Sequence, residues 1–234
     1  MLIKPKPLYQ QVFFITQATS RIGLATVRLA IDQGAKVFMV DRNEDELQII
    51  QDEMRLKNFP TAYAVADVAE IDQVQIAADH CLVTFGRIDT WVNTSESKLY
   101  GRLLETDETD AKRLFDTNFW GVVNGCKVAV PLLTKNGGTI INVACDSSQE
   151  SLPIQGIYLA SQQAVKCYTD ALRKELSALK VPVSIKFINS GTINAVAKMT
   201  LKNAVGSLRE MGKWNLRKRF FSRSTKSSHK EHTI

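Results

Sequence analysis

Residues 16–23, TQATSRIG, follow a short apolar run and lead into residues with helical spacing, so they read as a turn at a helix N-terminus. Free backbone N–H groups and the helix macrodipole make such a turn a place for an anionic group, a phosphate above all. Asp41 closes the next apolar run, KVFMV, where a carboxylate accepts hydrogen bonds from a ribose 2′-hydroxyl and repels a 2′-phosphate. Together these features point to a dinucleotide, with NAD(H) expected ahead of NADP(H). Asp41 also has a plainer reading, as a charge near the N-terminus of the following helix. Metal chemistry has no comparable support. Cys81, Cys126, Cys145 and Cys167 are widely spaced with no CxxC pair, and His80, His229 and His232 have no partner motif, so no metal site is expected.

The elements that must hold these residues alternate between two periodicities. Strand-like apolar runs fall at 12–16, 36–40, 61–65, 89–93, 139–143 and 183–188, with helical spacing over 22–33, 45–57, 71–85, 109–133 and 156–179. Gly34 stands where it would close the first helix, and the second ends before Pro60. Gly121 and Gly125 offer places for close packing, and Trp91, inside a strand, reads as core. Strands joined by crossover helices must pair in parallel, which predicts an α/β fold: a Rossmann-like doubly wound sheet of six strands in three layers. Ligands then belong at the carboxyl ends of the strands.

The chain has 234 residues, 44% of them hydrophobic, and a net charge of +6. From Lys198 onward ten Lys/Arg face only Glu210 and Glu231, or +8, whereas residues 1–197 carry 20 basic and 22 acidic groups, or −2. The expected organisation is therefore a dinucleotide-binding domain over 1–197 and a basic segment over 198–234, partly helical or disordered. In that segment Lys213, Arg217, Lys218, Arg219 and Arg223 interleave with Trp214, Phe220 and Phe221. A solvated tail is the first reading; an anionic membrane surface or nucleic-acid backbone is the second. No apolar run approaches the length of a membrane span, and the N-terminal residues lack a signal-peptide pattern, so a soluble cytoplasmic protein is expected.

Over roughly residues 8–197 the order and spacing of motifs resemble the short-chain dehydrogenase/reductase family. Thr16 and Gly23 match its cofactor loop TGxxxGxG, with Gln17 and Arg21 where the first two glycines belong. Asp67-Val68 resembles the motif on the adenine side, and Asn118-Phe119-Trp120-Gly121 the segment with the catalytic Asn. Asn93-Thr94-Ser95-Glu96 stands in place of NNAG, and Tyr158 through Gln162 in place of YxxxK, with Gln162 at the lysine. Cys145, thirteen residues before Tyr158, takes the position of the catalytic Ser, and Ser190-Gly191 that of Pro-Gly after the sixth strand.

The resemblance implies hydride transfer between a nicotinamide ring and an alcohol or carbonyl carbon. Tyr158 would be the acid/base, supported by Asn118, Cys145 and Gln162. Thr16, Arg21, Ile22, Gly23, Asp41, Asp67, Val68, Asn93 and Gly191 would line the cofactor. It also implies a small-molecule substrate and a homo-oligomer.

The replacements bear on this chemistry. A phenol ionises near pH ~10, and a neighbouring lysine favours the phenolate; Gln162 has no charge to do so. A thiol is a weaker donor than a hydroxyl. Gln17 is strained wherever a positive φ is required. Arg21 either obstructs the phosphates or pairs with them. Two functions therefore stand open: a binding or regulatory protein with weak or lost turnover, and an active NAD-preferring oxidoreductase on a small alcohol or carbonyl.

Overall fold

Short runs rich in Val, Ile and Phe, apolar on both sides of the chain, suit a strand covered on both faces. In the computed structural model, which describes residues 6–94, 96–144 and 153–189, six strands, of which β1 and β4 are of this kind, pair in parallel in the order β3-β2-β1-β4-β5-β6. The strands are β1 (Val12–Thr16), β2 (Lys36–Asp41), β3 (Thr61–Val65), β4 (Thr90–Asn93), β5 (Gly138–Ala144) and β6 (Val183–Asn189). The helices between them are α1 (Arg21–Asp32), α2 (Glu44–Leu56), α3 (Ile71–Phe85), α4 (Glu108–Phe115), α5 (Gly121–Thr134) and α6 (Gly156–Ala178).

Alternate side chains along each strand feed two cores. Phe13 and Ile15 of β1 join Val37, Met39 and Val92 beneath α1 and α2. Phe14 joins Phe38, Val40, Trp91 and Ile140 beneath α3, α5 and α6, with Phe14 stacked on Trp91 at 3.9 Å between ring centroids. The sheet is thus the expected doubly wound one, and its order reverses between β1 and β4, where the loops diverge and a ligand crevice can form.

Two local features depart from the sequence expectation. β4 starts at Thr90, and Asp89 just before it accepts the Val12 N–H at 3.0 Å with its carboxylate and pairs with Lys6 and Arg87. The single helix expected over 109–133 is interrupted by a π-helical turn, Asp116–Trp120, which carries Asn118. Such turns change the direction in which a helix presents its side chains and recur at functional sites. Beyond it, Gly121 and Gly125 allow close approach to Val68 and Asn93 rather than to another helix; a Cβ on Gly125 would lie 2.3 Å from Asn93 Oδ1. Among the described residues no helix is long and apolar enough to cross a membrane. The basic segment 198–234 lies outside the described residues.

Candidate functional site

The turn after β1 carries a side chain, Gln17, where the family resemblance places a glycine. Gln17 has φ +46°, in the left-handed region that costs an L-residue about 1–2 kcal/mol. Gly23 is needed because a Cβ there would meet Gln17 O at 2.1 Å. Ser20 caps α1 by accepting the Gly23 N–H at 3.0 Å. Ile22 lies half-buried in the first helical turn, and Arg21 is exposed beside it, with no ion pair among the described residues. Thr16, buried at the end of β1, donates to Val92 O and accepts from Thr94 N at 3.2 Å, while Thr94 Oγ1 donates to Thr16 O.

Over β2 and β3 the polar groups face outward. Asp41 Oδ2 accepts from Thr19 N at 3.1 Å and Thr19 Oγ1 at 2.8 Å, and Asp41 Oδ1 accepts from Arg42 N at 2.7 Å. Asp67 takes the Ala69 N–H at 3.0 Å and an Arg42 guanidinium N–H at 3.3 Å. Gln17, Asp41, Arg42, Ala66, Val68 and Thr117 line an open pocket here. Asp41 and Val68 therefore share one cavity with the strained Gln17. Arg42 was not anticipated; its position next to Asp41 was the available signal.

Over β4, β5 and α6 the polar groups face each other. Asn93 is buried, with its Oδ1 accepting from Trp91 Nε1 and its Nδ2 donating to Asn142 Oδ1, both at 2.8 Å. Asn142 in turn donates to Thr169 Oγ1 at 2.9 Å. Cys126 lies against both amides at 3.6–3.8 Å, and burial pushes its thiol up to about 12. Asn93 is thus turned into the interior, as a support for the strand end.

Asn118, 1% exposed, accepts from Ser97 N at 2.6 Å and donates to Ser97 O at 2.9 Å and Ser161 Oγ at 3.1 Å. Ser161 donates to Tyr158 O at 2.7 Å, so Asn118 and Tyr158 are neighbours through one hydroxyl. Gln162 is 2% exposed, one turn from Tyr158 on α6. Cys145 and Gly191 lie outside the described residues.

The residue that sequence reasoning placed but did not connect is Glu96. Tyr158, 4% exposed, donates its hydroxyl to Glu96 Oε1 at 2.5 Å, and Lys98 Nζ stands 3.8 Å from the same oxygen. The Glu96 backbone is itself held by Gln17, whose Oε1 accepts from Glu96 N at 2.7 Å and whose Nε2 donates to Glu96 O at 3.0 Å. The only signal was a carboxylate in a segment where the resemblance leads one to expect glycine.

The comparisons agree with this architecture. The short chain dehydrogenase profile matches residues 11–205. The chain is 39% identical over 194 residues to the "Uncharacterized oxidoreductase YxnA" of Bacillus subtilis (strain 168), covering 82% of this chain and 54% of that protein. It is 33% identical over 191 residues to the "11-beta-hydroxysteroid dehydrogenase-like 4A" of Arabidopsis thaliana, covering 79% of this chain and 63% of that one. A short chain dehydrogenase/reductase from Burkholderia phymatum, solved in complex with NAD, superposes with a TM-score of 0.75 at 28% identity over 78% of this chain and 66% of that one. The chain thus spans about half to two thirds of the length of these relatives. With six parallel strands, the expected crevice and a profile matched over most of its length, this chain belongs to the short chain dehydrogenase family.

Proposed function

We propose that this protein binds an adenine dinucleotide weakly, prefers NAD(H) to NADP(H), and turns over slowly or not at all, so that its role is binding or regulation. The observation that carries this reading is the 2.5 Å hydrogen bond from Tyr158 to the Glu96 carboxylate. Glu96 sets a carboxylate against the hydroxyl, and Gln162 brings no charge where the resemblance implies a lysine. The hydroxyl is also occupied as a donor, so it has no proton to direct at a carbonyl. The departures at Gln17, Glu96 and Gln162 then act in one direction, as loss of the family's chemistry.

The cofactor, when bound, supplies the hydride acceptor or donor. Asp41, Asp67 and the pocket beside them fit its adenosine end, and the Asp41 carboxylate disfavours a 2′-phosphate. The nicotinamide end fits less well, because Glu96 and Tyr158 already satisfy each other there. Cys145 and Gly191 are proposed to border that end, and a small alcohol or carbonyl compound is the substrate class for any residual reaction. A homo-oligomer is part of the proposal.

A second reading, an active NAD-preferring oxidoreductase, draws on the grouping of Asn118, Ser161 and Tyr158 and on Lys98 beside Glu96. Titration with NADH, followed by energy transfer from tryptophan, and a rate assay on a panel of alcohols and carbonyls separate the two. The expected result is binding without turnover, with Gln162→Lys combined with Cys145→Ser and Glu96→Ala raising the rate by roughly 10²-fold or more. A natural protein already as fast as that variant would overturn the proposal in favour of the second reading.

A further inference from the structure

The reversal of strand order between β1 and β4 is where a dinucleotide must cross from one half of the sheet edge to the other. In this protein the crossing is laced shut by side chains. Nearest the strands, Thr94 bonds to Thr16 through both its N–H and its hydroxyl. One step outward, the Gln17 amide makes a two-point pair with the Glu96 backbone at 2.7 and 3.0 Å. The Glu96 carboxylate then reaches Tyr158 on α6, completing a bridge from the turn after β1 to the far wall.

The bridge fixes both of its strained or charged members. Gln17 keeps φ +46° although it is not glycine, and its two bonds to Glu96 offset that strain. Glu96 keeps its carboxylate only 16% exposed because Tyr158 and Lys98 face it. Opening the bridge would take from a half-buried carboxylate the donor that Tyr158 gives it. Of the bridge only Gln17 lines the pocket between Asp41, Arg42 and Val68; Glu96 and Tyr158 are not among its lining residues.

We infer that the protein recognises the adenosine diphosphate group alone, as ADP or as the corresponding part of a dinucleotide, and gains nothing from a nicotinamide riboside, because the Gln17–Glu96–Tyr158 bridge occupies its half of the crevice. The inference rests on the nucleotide-binding reading above. It assigns the adenosine to the Asp41–Val68 pocket and the diphosphate to the start of α1, where the exposed Arg21 supplies a cation. Glu96 thereby sets ligand specificity: an adenine nucleotide of any length up to the bridge is accepted, and the group beyond it is not held.

Isothermal titration calorimetry of the full chain with ADP and with NADH tests this directly. The expected dissociation constants for the natural protein agree within about threefold. Glu96→Ala, which removes the carboxylate, and Tyr158→Phe, which removes its donor while keeping the ring, should each tighten NADH by roughly tenfold and leave ADP unchanged. NADH binding tenfold or more tighter than ADP in the natural protein would overturn the inference while leaving the nucleotide-binding reading intact. The same holds if both variants bind ADP normally and neither gains for NADH. Failure of both ligands to bind at millimolar concentration would overturn the nucleotide-binding reading and this inference with it.

Discussion

Over β2 and β3, Asp41 and Asp67 hold their carboxylates at the surface with local backbone N–H groups and one exposed arginine. Over β4, β5 and α6, Asn93, Asn142, Asn118 and Tyr158 are all buried, and their polar atoms are joined across four elements. The sheet and its edge are the same on both sides, so the difference lies in where hydrogen bonds are satisfied. In the first half a ligand exchanges water for protein contacts. In the second it must first displace contacts that stabilise the fold, and buried polar groups left unpaired are costly.

The largest effect should come from disturbing the buried half. Gly125→Ala drives a Cβ to within 2.3 Å of Asn93 Oδ1, so either the amide moves away from Trp91 and Asn142 or α5 moves away from the sheet. A loss of about 2–4 kcal/mol is expected in urea unfolding, from overpacking together with broken hydrogen bonds. Asp67→Ala in the open half should cost less than about 1 kcal/mol, as surface ion pairs do. Equal losses at the two positions would abolish the contrast between the halves.

The Cys126 thiol sharpens it through pH. Burial raises this group from the ordinary value of 9.0 to about 12, with an opposing hydrogen bond from Asn142. A raised folded value means that the unfolded chain ionises first. The stabilisation is complete below pH ~9 and is lost as pH climbs from there toward 12. Unfolding midpoints measured from pH ~8 to ~11 should fall more steeply for the natural protein than for Cys126→Ala. Parallel curves would mean that the thiol is no harder to ionise inside than outside, and that this half is wetter than its geometry indicates.

These contrasts were only partly legible in the sequence. The six strands were, because β1 and β4 are covered on both faces and read as continuous apolar runs, and β6 alternates apolar and polar residues. The approximate place of Tyr158 and Asn118 was legible from motif spacing. The π-helical turn at Asp116–Trp120 was not, since one extra residue in a turn barely alters an apolar pattern of period 3.6. Glu96 could be flagged as out of place, but its bond to Tyr158 joins residues 62 apart through a loop whose path no local propensity dictates. The positive φ of Gln17 was foreseeable from the turn, whereas the two bonds that make it tolerable depend on that same loop.

In the open half the next effect is on selectivity. Asp41 stands at the end of β2, lines the pocket and has Thr19 and the Arg42 N–H on its oxygens. Asp41→Ala should cut the proposed preference for NADH over NADPH by roughly tenfold, about 1.4 kcal/mol, by removing both a ribose acceptor and the repulsion of a 2′-phosphate. Calorimetry with the two cofactors measures the ratio. If NADPH already binds the natural protein more tightly, Arg42 rather than Asp41 governs the pocket.

A smaller effect than at Asp41 belongs to Ser20, in the turn between β1 and α1. Its Oγ accepts the Gly23 N–H at 3.0 Å and so satisfies one of the N–H groups left open at the start of α1. Ser20→Ala should lower stability by about 1 kcal/mol. The freed N–H also turns toward whatever anion the turn holds, so affinity for a diphosphate should change by no more than a fewfold. That change must be the same for ADP and NADH, because the turn precedes the point where the two ligands would diverge at the bridge. A shift in their ratio on Ser20→Ala would show that the cap reaches the closed half through Gln17, and the two halves would then be coupled rather than separately built.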